Sequence, residues 1–202
     1  MAPYDAILFD FDGVLADSEP LHYRCWKEIL SPYGIDLEWD VYAANYIGVS
    51  DRVMLAQFSQ IASPPVELQT LFNEYPRKRD CFRERMVREL PFFEGCREFL
   101  ETLGAYKLAV VSSSGRPEIE PPLERAGLRE YFETLVCGRD VLNQKPAPDP
   151  YLLAAERLGS RRPLVVEDSE AGVESARAAG FDVIRVNAPS EVSGAVWERL
   201  GK

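Results

Sequence analysis

The stretch Ala6-Ile7-Leu8-Phe9-Asp10-Phe11-Asp12-Gly13 decides how the rest of the chain is read. Four consecutive apolar residues with no polar alternation form the pattern of a short strand buried on both faces, as in a parallel sheet. The run then ends abruptly in acid and glycine. Residues two apart on a strand project to the same face, so Asp10 and Asp12 would present two carboxylates to one space. In open parallel sheets the functional crevice lies beyond the carboxyl ends of the strands, which is where this pair falls.

Working outward, similar apolar runs recur at Leu108-Ala109-Val110-Val111, Thr134-Leu135-Val136-Cys137, Leu164-Val165-Val166 and Val183-Ile184-Arg185-Val186, with helix-like segments between them. Strands alternating with helices predict an α/β chain with a parallel sheet covered on both faces. Asp149-Pro150 places a capping carboxylate before a proline at the first helical position, and that helix should run to Gly159. Ser169 is placed to cap a helix over 170–179, which Gly180 would stop.

Between residues 18 and 90 the strand pattern disappears. Trp26, Ile29, Leu30 and Tyr33 follow helical spacing, as do Leu68, Leu71, Phe72 and Tyr75. Gly34, Gly48 and Ser63-Pro64-Pro65 punctuate this stretch, and Pro76 should kink or end its helix, giving about four helices. Residues 1–17 and 91–202 therefore read as one α/β domain, and residues 18–90 as a helical insert, a lid or cap candidate. Trp26, Trp39 and Tyr46 are expected in the insert's own core.

The whole chain has 202 residues, with 33 acidic against 23 basic side chains and a net charge of -10. Such an acid excess argues against binding nucleic acid or an anionic membrane surface, which needs clustered Lys and Arg. Anionic small molecules remain compatible, because a few aimed donors or a bound metal reverse the local field. No apolar run approaches the ~20 residues of a membrane span, and the segment Met1-Ala2-Pro3-Tyr4-Asp5 lacks the marks of a signal peptide. A soluble cytoplasmic monomer is expected. Cys25, Cys81, Cys96 and Cys137 are scattered beside a single histidine, so they are expected to be reduced core residues and not a zinc site.

Three further strands end in polar residues at the same sheet edge as Asp10. Ser112-Ser113-Ser114-Gly115 follows Val111, Glu167-Asp168-Ser169 follows Val166, and Lys145 precedes the helix at Asp149. Four carboxylates at one rim repel by about 4 kcal/mol per close pair at an effective dielectric near 20. A hard divalent cation with oxygen ligands offsets that, and Mg²⁺ is commonly held by one or two carboxylates plus a substrate phosphate. The serines and the lysine add hydroxyl and N–H donors and a fixed positive charge, which is what a transferring phosphoryl group requires.

In these residues the chain resembles the haloacid dehalogenase superfamily, in particular members with a helical cap such as β-phosphoglucomutase and the phosphoglycolate phosphatases. Asp10-Phe11-Asp12-Gly13-Val14-Leu15, Ser112, Lys145-Pro146-Ala147-Pro148-Asp149 and Val166-Glu167-Asp168-Ser169-Glu170-Ala171-Gly172 match its four motifs in order. The resemblance implies a Rossmann-like core with an inserted α-helical cap. It implies Asp10 as the nucleophile that becomes an aspartyl phosphate, and Asp12 as general acid and base. It implies Mg²⁺ bound by Asp10, the backbone carbonyl of Asp12 and Asp168, with Glu167 acting through water. Ser112, the Ser113 N–H and Lys145 would hold the phosphoryl oxygens. The family's dehalogenases and phosphonatases lack the second aspartate, so Asp12 favours a phosphate monoester, a small phosphorylated metabolite, as substrate.

The expectation is a Mg²⁺-dependent phosphatase for a small organic phosphate, with a β-phosphoglucomutase-like mutase as the alternative and a non-catalytic phosphate-binding module as the remote one. Three cap and loop residues are candidates for substrate contact. His22 stands where such mutases carry a histidine. Arg52 follows Gly48-Val49-Ser50-Asp51, one residue beyond the family's arginine, a shift of about 100° around a helix. Arg116 opens a segment whose Pro121 and Pro122 should delay the following helix, which would leave Arg116 to hold phosphate in place of the helix N-terminus.

Overall fold

The computed structural model describes residues 4–47, 49 and 51–201. Five strands, β1 (Ala6–Phe9), β2 (Lys107–Val111), β3 (Thr134–Val136), β4 (Pro163–Glu167) and β5 (Asp182–Arg185), make one parallel sheet in the order β3-β2-β1-β4-β5. Leu8 at its centre pairs with Ala109 of β2 and Val165 of β4. The strand order reverses between β1 and β4. That places the ends of these two strands at the switch point where open α/β sheets bind ligands.

The described helices are α1 (Glu19–Leu30), α2 (Trp39–Asn45), α3 (Asp51–Ile61), α4 (Leu68–Asn73), α5 (Tyr75–Glu89), α6 (Cys96–Thr102), α7 (Arg116–Arg125), α8 (Asp149–Leu158), α9 (Glu170–Ala178) and α10 (Val192–Leu200). The chain divides into two compact units, one ending at Asp17 and resuming at Leu90, the other spanning Ser18–Glu89.

In the α/β unit the two-residue side-chain period of β1 sorts the core. Ala6 and Leu8 face Tyr151, Ala154 and Leu158 of α8 and Ala176 of α9. Phe9, on the opposite face, meets Phe99 of α6 edge-on at 6.0 Å, and Phe99 in turn meets Trp197 of α10 at 5.8 Å. Both faces of the sheet are thus covered, which is why the central strand β1 is apolar and buried throughout.

The helical unit holds its own core of Trp26, Ile29, Leu30, Tyr42, Tyr46, Met54, Leu55, Phe58 and Leu71. Among the described residues it contains five α-helices, not about four, because the chain breaks between α4 and α5 at Glu74 and Pro76 falls in the first turn of α5, where a missing N–H costs nothing. Trp39 departs from expectation: it is 38% exposed at the start of α2, with one face against Tyr42. The four cysteines are free, and Cys81 lies 2.8 Å from Cys25, sulfur to sulfur. Among the described residues no helix is long and apolar enough to cross a membrane.

Two local expectations fail. Pro121 and Pro122 do not delay α7, which begins at Arg116 with both prolines inside it. The start is fixed instead by Glu118, whose carboxylate accepts from the Gly115 N–H at 2.7 Å, and by burial of Ile119, Pro122 and Leu123. Asp149 does not cap α8; Pro148 occupies the cap position, and the Asp149 carboxylate accepts from Asn143 at 2.9 Å. At the next helix the expectation holds, with Ser169 Oγ accepting from the Gly172 N–H at 3.1 Å.

Candidate active site

The functional side chains lie at or beyond the carboxyl ends of the strands, Lys145 in the loop between β3 and α8. Asp10 follows β1, is 7% exposed, and donates its N–H to Val166 O at 2.9 Å. Asp12 lies in the turn that follows, shaped by Gly13 at φ +75°, where a Cβ would come 2.1 Å from Asp168 Oδ2. Glycine is required there for both backbone conformation and room.

Past β2, the Ser112 N–H donates to Val136 O at 2.9 Å and its hydroxyl accepts from the Ser114 N–H at 3.0 Å. Ser114 Oγ donates to Asp12 Oδ2 at 2.8 Å, and Ser112 Oγ approaches the same oxygen at 3.5 Å. Ser113 is exposed. Its carbonyl lies 2.2 Å from where a Cβ on Gly138 would stand, so the glycine lets this loop close on the next.

Among the described residues Lys145 supplies the ammonium of this cluster. Its Nζ donates to Asp10 Oδ1 at 2.5 Å, Glu167 Oε1 at 2.6 Å and Val111 O at 2.9 Å. Those three bonds use all three ammonium protons. Glu167 ends β4 and is fully buried. Besides Lys145, its Oε1 accepts from the Tyr151 hydroxyl at 2.6 Å. Its Oε2 accepts from the N–H groups of Asp168 and Ser169 at 3.1 and 3.2 Å and from Ser169 Oγ at 3.0 Å. Gly172 makes room for this carboxylate, since a Cβ there would lie 1.8 Å from Glu167 Oε1.

Charge at the rim is lopsided. Burial first, then the neighbouring carboxylates of Glu167, Asp12 and Asp168, push the Asp10 carboxyl well above the usual range despite the pull of Lys145. Burial and Glu167 raise Asp168 to about 6. The Lys145 ammonium is held above its usual pKa, its two carboxylate partners outweighing burial. Burial and Glu167 also push the Tyr151 hydroxyl well up. Asp10, Glu167 and Asp168 each offer an oxygen within 4.8 Å of the others. An all-oxygen, carboxylate-rich donor set with excess negative charge fits a hard cation such as Mg²⁺.

Asp10, Asp12, Ser112, Lys145, Glu167 and Asp168 are therefore brought together within the α/β unit, while His22 and Arg52 belong to the helical unit. Arg116 is engaged elsewhere: its guanidinium donates to Asp140 at 2.8 Å and Leu135 O at 3.1 Å. His22 belongs to the helical unit, stacked on Phe82 at 3.9 Å with Nδ1 2.8 Å from Lys78 Nζ. Burial and then Lys78 hold its imidazole well below the usual pKa. Lys78 is itself 4% exposed and 3.5 Å from Asp51. Arg52 is exposed and lies over the Phe72 ring at 5.7 Å. Gly48 and Ser50 of the segment preceding Arg52 lie outside the described residues.

Sequence reading missed Tyr151, Ser114 and Lys78. Tyr151 and Ser114 stand within or beside matched motifs, but Lys78 is 56 positions from His22 and no spacing announces it.

Over residues 7–186 the sequence matches the haloacid dehalogenase-like hydrolase family. It is 32% identical over 189 residues to the fructose-1-phosphate phosphatase YqaB of Escherichia coli, covering 91% of this chain and 96% of that one. It is 33% identical to a phosphorylated carbohydrates phosphatase of Thermotoga maritima, covering 89% and 83%. The crystal structure of CbbY from Rhodobacter sphaeroides in complex with phosphate superposes with a TM-score of 0.67 at 26% identity, covering 90% and 85%.

Proposed function

The chain belongs to the haloacid dehalogenase-like hydrolases and is a phosphohydrolase, and from that premise we propose a Mg²⁺-dependent phosphatase of small sugar-phosphate monoesters that works through an aspartyl phosphate. The observation that carries the reading is the Lys145 ammonium shared between Asp10 and Glu167, with Asp168 beside them.

With Lys145 on Oδ1, Asp10 has Oδ2 to attack phosphorus. The P–O ester bond breaks, and the leaving oxygen takes a proton from Asp12. Asp12, now a carboxylate, takes a proton from water, whose oxygen attacks the aspartyl phosphate. Inorganic phosphate leaves and both carboxyl groups are restored. Ser114 fixes the Asp12 side chain through its 2.8 Å bond, and Ser112 Oγ with the Ser113 N–H holds the phosphoryl oxygens. Asp10, Asp168 and the Asp12 carbonyl would hold Mg²⁺, with Glu167 acting through water; when bound, the ion keeps Asp10 ionised and withdraws charge from the phosphoryl group.

The helical unit is read as the cap, and a cytoplasmic monomer is the working assembly. The names of the two phosphatase relatives support sugar phosphates as the substrate class.

The test is phosphate release from a panel of sugar phosphates and phosphoglycolate, with and without Mg²⁺, beside Asp10→Asn. Release that needs both Mg²⁺ and Asp10 supports the phosphatase. Conversion of β-glucose 1-phosphate to glucose 6-phosphate with little free phosphate replaces it with the mutase, and silence in both assays replaces it with a binding module.

A further inference from the structure

Glu167 is a fully buried carboxylate whose five donors come from three directions. On Oε2 the donors, two backbone N–H groups and the Ser169 hydroxyl, all belong to the turn after β4. On Oε1 the donors are two side chains, the Lys145 ammonium and the Tyr151 hydroxyl. Lys145 is divided almost evenly, at 2.6 Å from Glu167 and 2.5 Å from Asp10. How far the ammonium leans toward the nucleophile depends on how well Glu167 Oε1 is satisfied by something else. Tyr151 is that other donor. It projects from the first turn of α8, is fully buried, and also places its ring 5.0 Å from Lys145 Nζ.

Resting on the phosphatase reading above, we propose that Tyr151 is a positioning residue for phosphoryl transfer: its hydroxyl satisfies Glu167 and so keeps the Lys145 ammonium on Asp10. Without the hydroxyl, Glu167 Oε1 faces Lys145 alone and draws the ammonium away from the nucleophile. The ring remains in the core whether or not it carries oxygen, so packing and hydrogen bonding separate cleanly in Tyr151→Phe.

The experiment measures kcat and KM of the full chain and of Tyr151→Phe with p-nitrophenyl phosphate and the best ester of the panel, with Leu158→Ala, a packing change in the same helix, as control. Outer-shell partners of this kind typically cost 10–100-fold, so kcat of Tyr151→Phe should fall by about that factor with KM within about threefold. Leu158→Ala should lower the melting temperature while leaving kcat near wild type, which shows that a looser α8 does not by itself slow the chemistry. A Tyr151→Phe enzyme with unchanged kcat, or with a change confined to KM, overturns the proposal while the phosphatase stands. A wild-type chain that releases phosphate from no ester overturns both.

Discussion

Gly172→Ala sets two effects of opposite sign against each other. Gly172 is the third residue of α9, where alanine is the better helix former by about 1 kcal/mol. The new Cβ, however, would fall 1.8 Å from Oε1, 1.9 Å from Cδ and 2.2 Å from Oε2 of Glu167. The carboxylate must leave, abandoning Lys145, Tyr151 and the turn after β4. Breaking a buried ion pair by removing one partner costs about 3–5 kcal/mol. Net of helix propensity, the loss is about 2–4 kcal/mol, which for a chain of this size lowers the melting temperature by roughly 5–15 °C. Gly194 supplies the control, being the third residue of α10 with nothing within 4 Å of its would-be Cβ. Gly194→Ala should leave the melting temperature unchanged or raised. Thermal melts of both variants, with kcat for phosphate release, decide the matter. If Gly172→Ala melts as high as Gly194→Ala and keeps wild-type kcat, Glu167 does not lie against α9 and the reasoning from its crowding fails.

Mg²⁺ should raise the melting temperature more at pH 7.5 than at pH 5, because Asp168, with its pKa at about 6, and Asp10, raised well above the carboxylate range, favour the folded state while protonated and weaken it as pH rises through those values. Equal gains at both pH values would contradict this. His22 titrates in the opposite sense: its folded pKa lies below the unfolded value near 6.5, so its contribution is complete above that pH and is lost by up to about 1.4 kcal/mol per unit as pH falls. The difference in denaturant stability between wild type and His22→Asn should carry that slope, and a pH-independent difference would refute it. Arg116→Gln should leave KM unchanged while lowering stability, since the guanidinium serves Asp140 and Leu135; a raised KM would restore it as a phosphate ligand.

What the sequence shows well is what local pattern determines. The five apolar runs became the five strands because the central strands are covered on both faces, and Ser169 and Gly159 ended up at helix ends for local reasons, a hydroxyl that accepts from the Gly172 N–H and a glycine free to turn left-handed. Asp10, Asp12, Ser112, Lys145, Glu167 and Asp168 were legible because each follows or precedes a recognisable element. Where long-range contacts decide, reading fails. Pro121 and Pro122 look like helix breakers, yet a carboxylate three residues past the cap and a buried face hold α7 together. Arg116 looked available for phosphate because nothing in its neighbourhood announced Asp140, 24 residues on. Nothing in the sequence singles out Tyr151, and only the fold reveals that its hydroxyl reaches a carboxylate 16 residues away.

The α/β unit closes on itself where the helical unit is spliced in. The Asp17 N–H donates to Pro91 O at 2.8 Å, and Ala16 forms an antiparallel bridge with Phe92. Exit and return are therefore one hydrogen-bonded doorway, made wholly of α/β-unit residues. The joint is closed by these hydrogen bonds between α/β-unit residues, without any from the insert. Exchange of the insert there would leave Asp10, Lys145 and Glu167 undisturbed, since all three belong to the α/β unit.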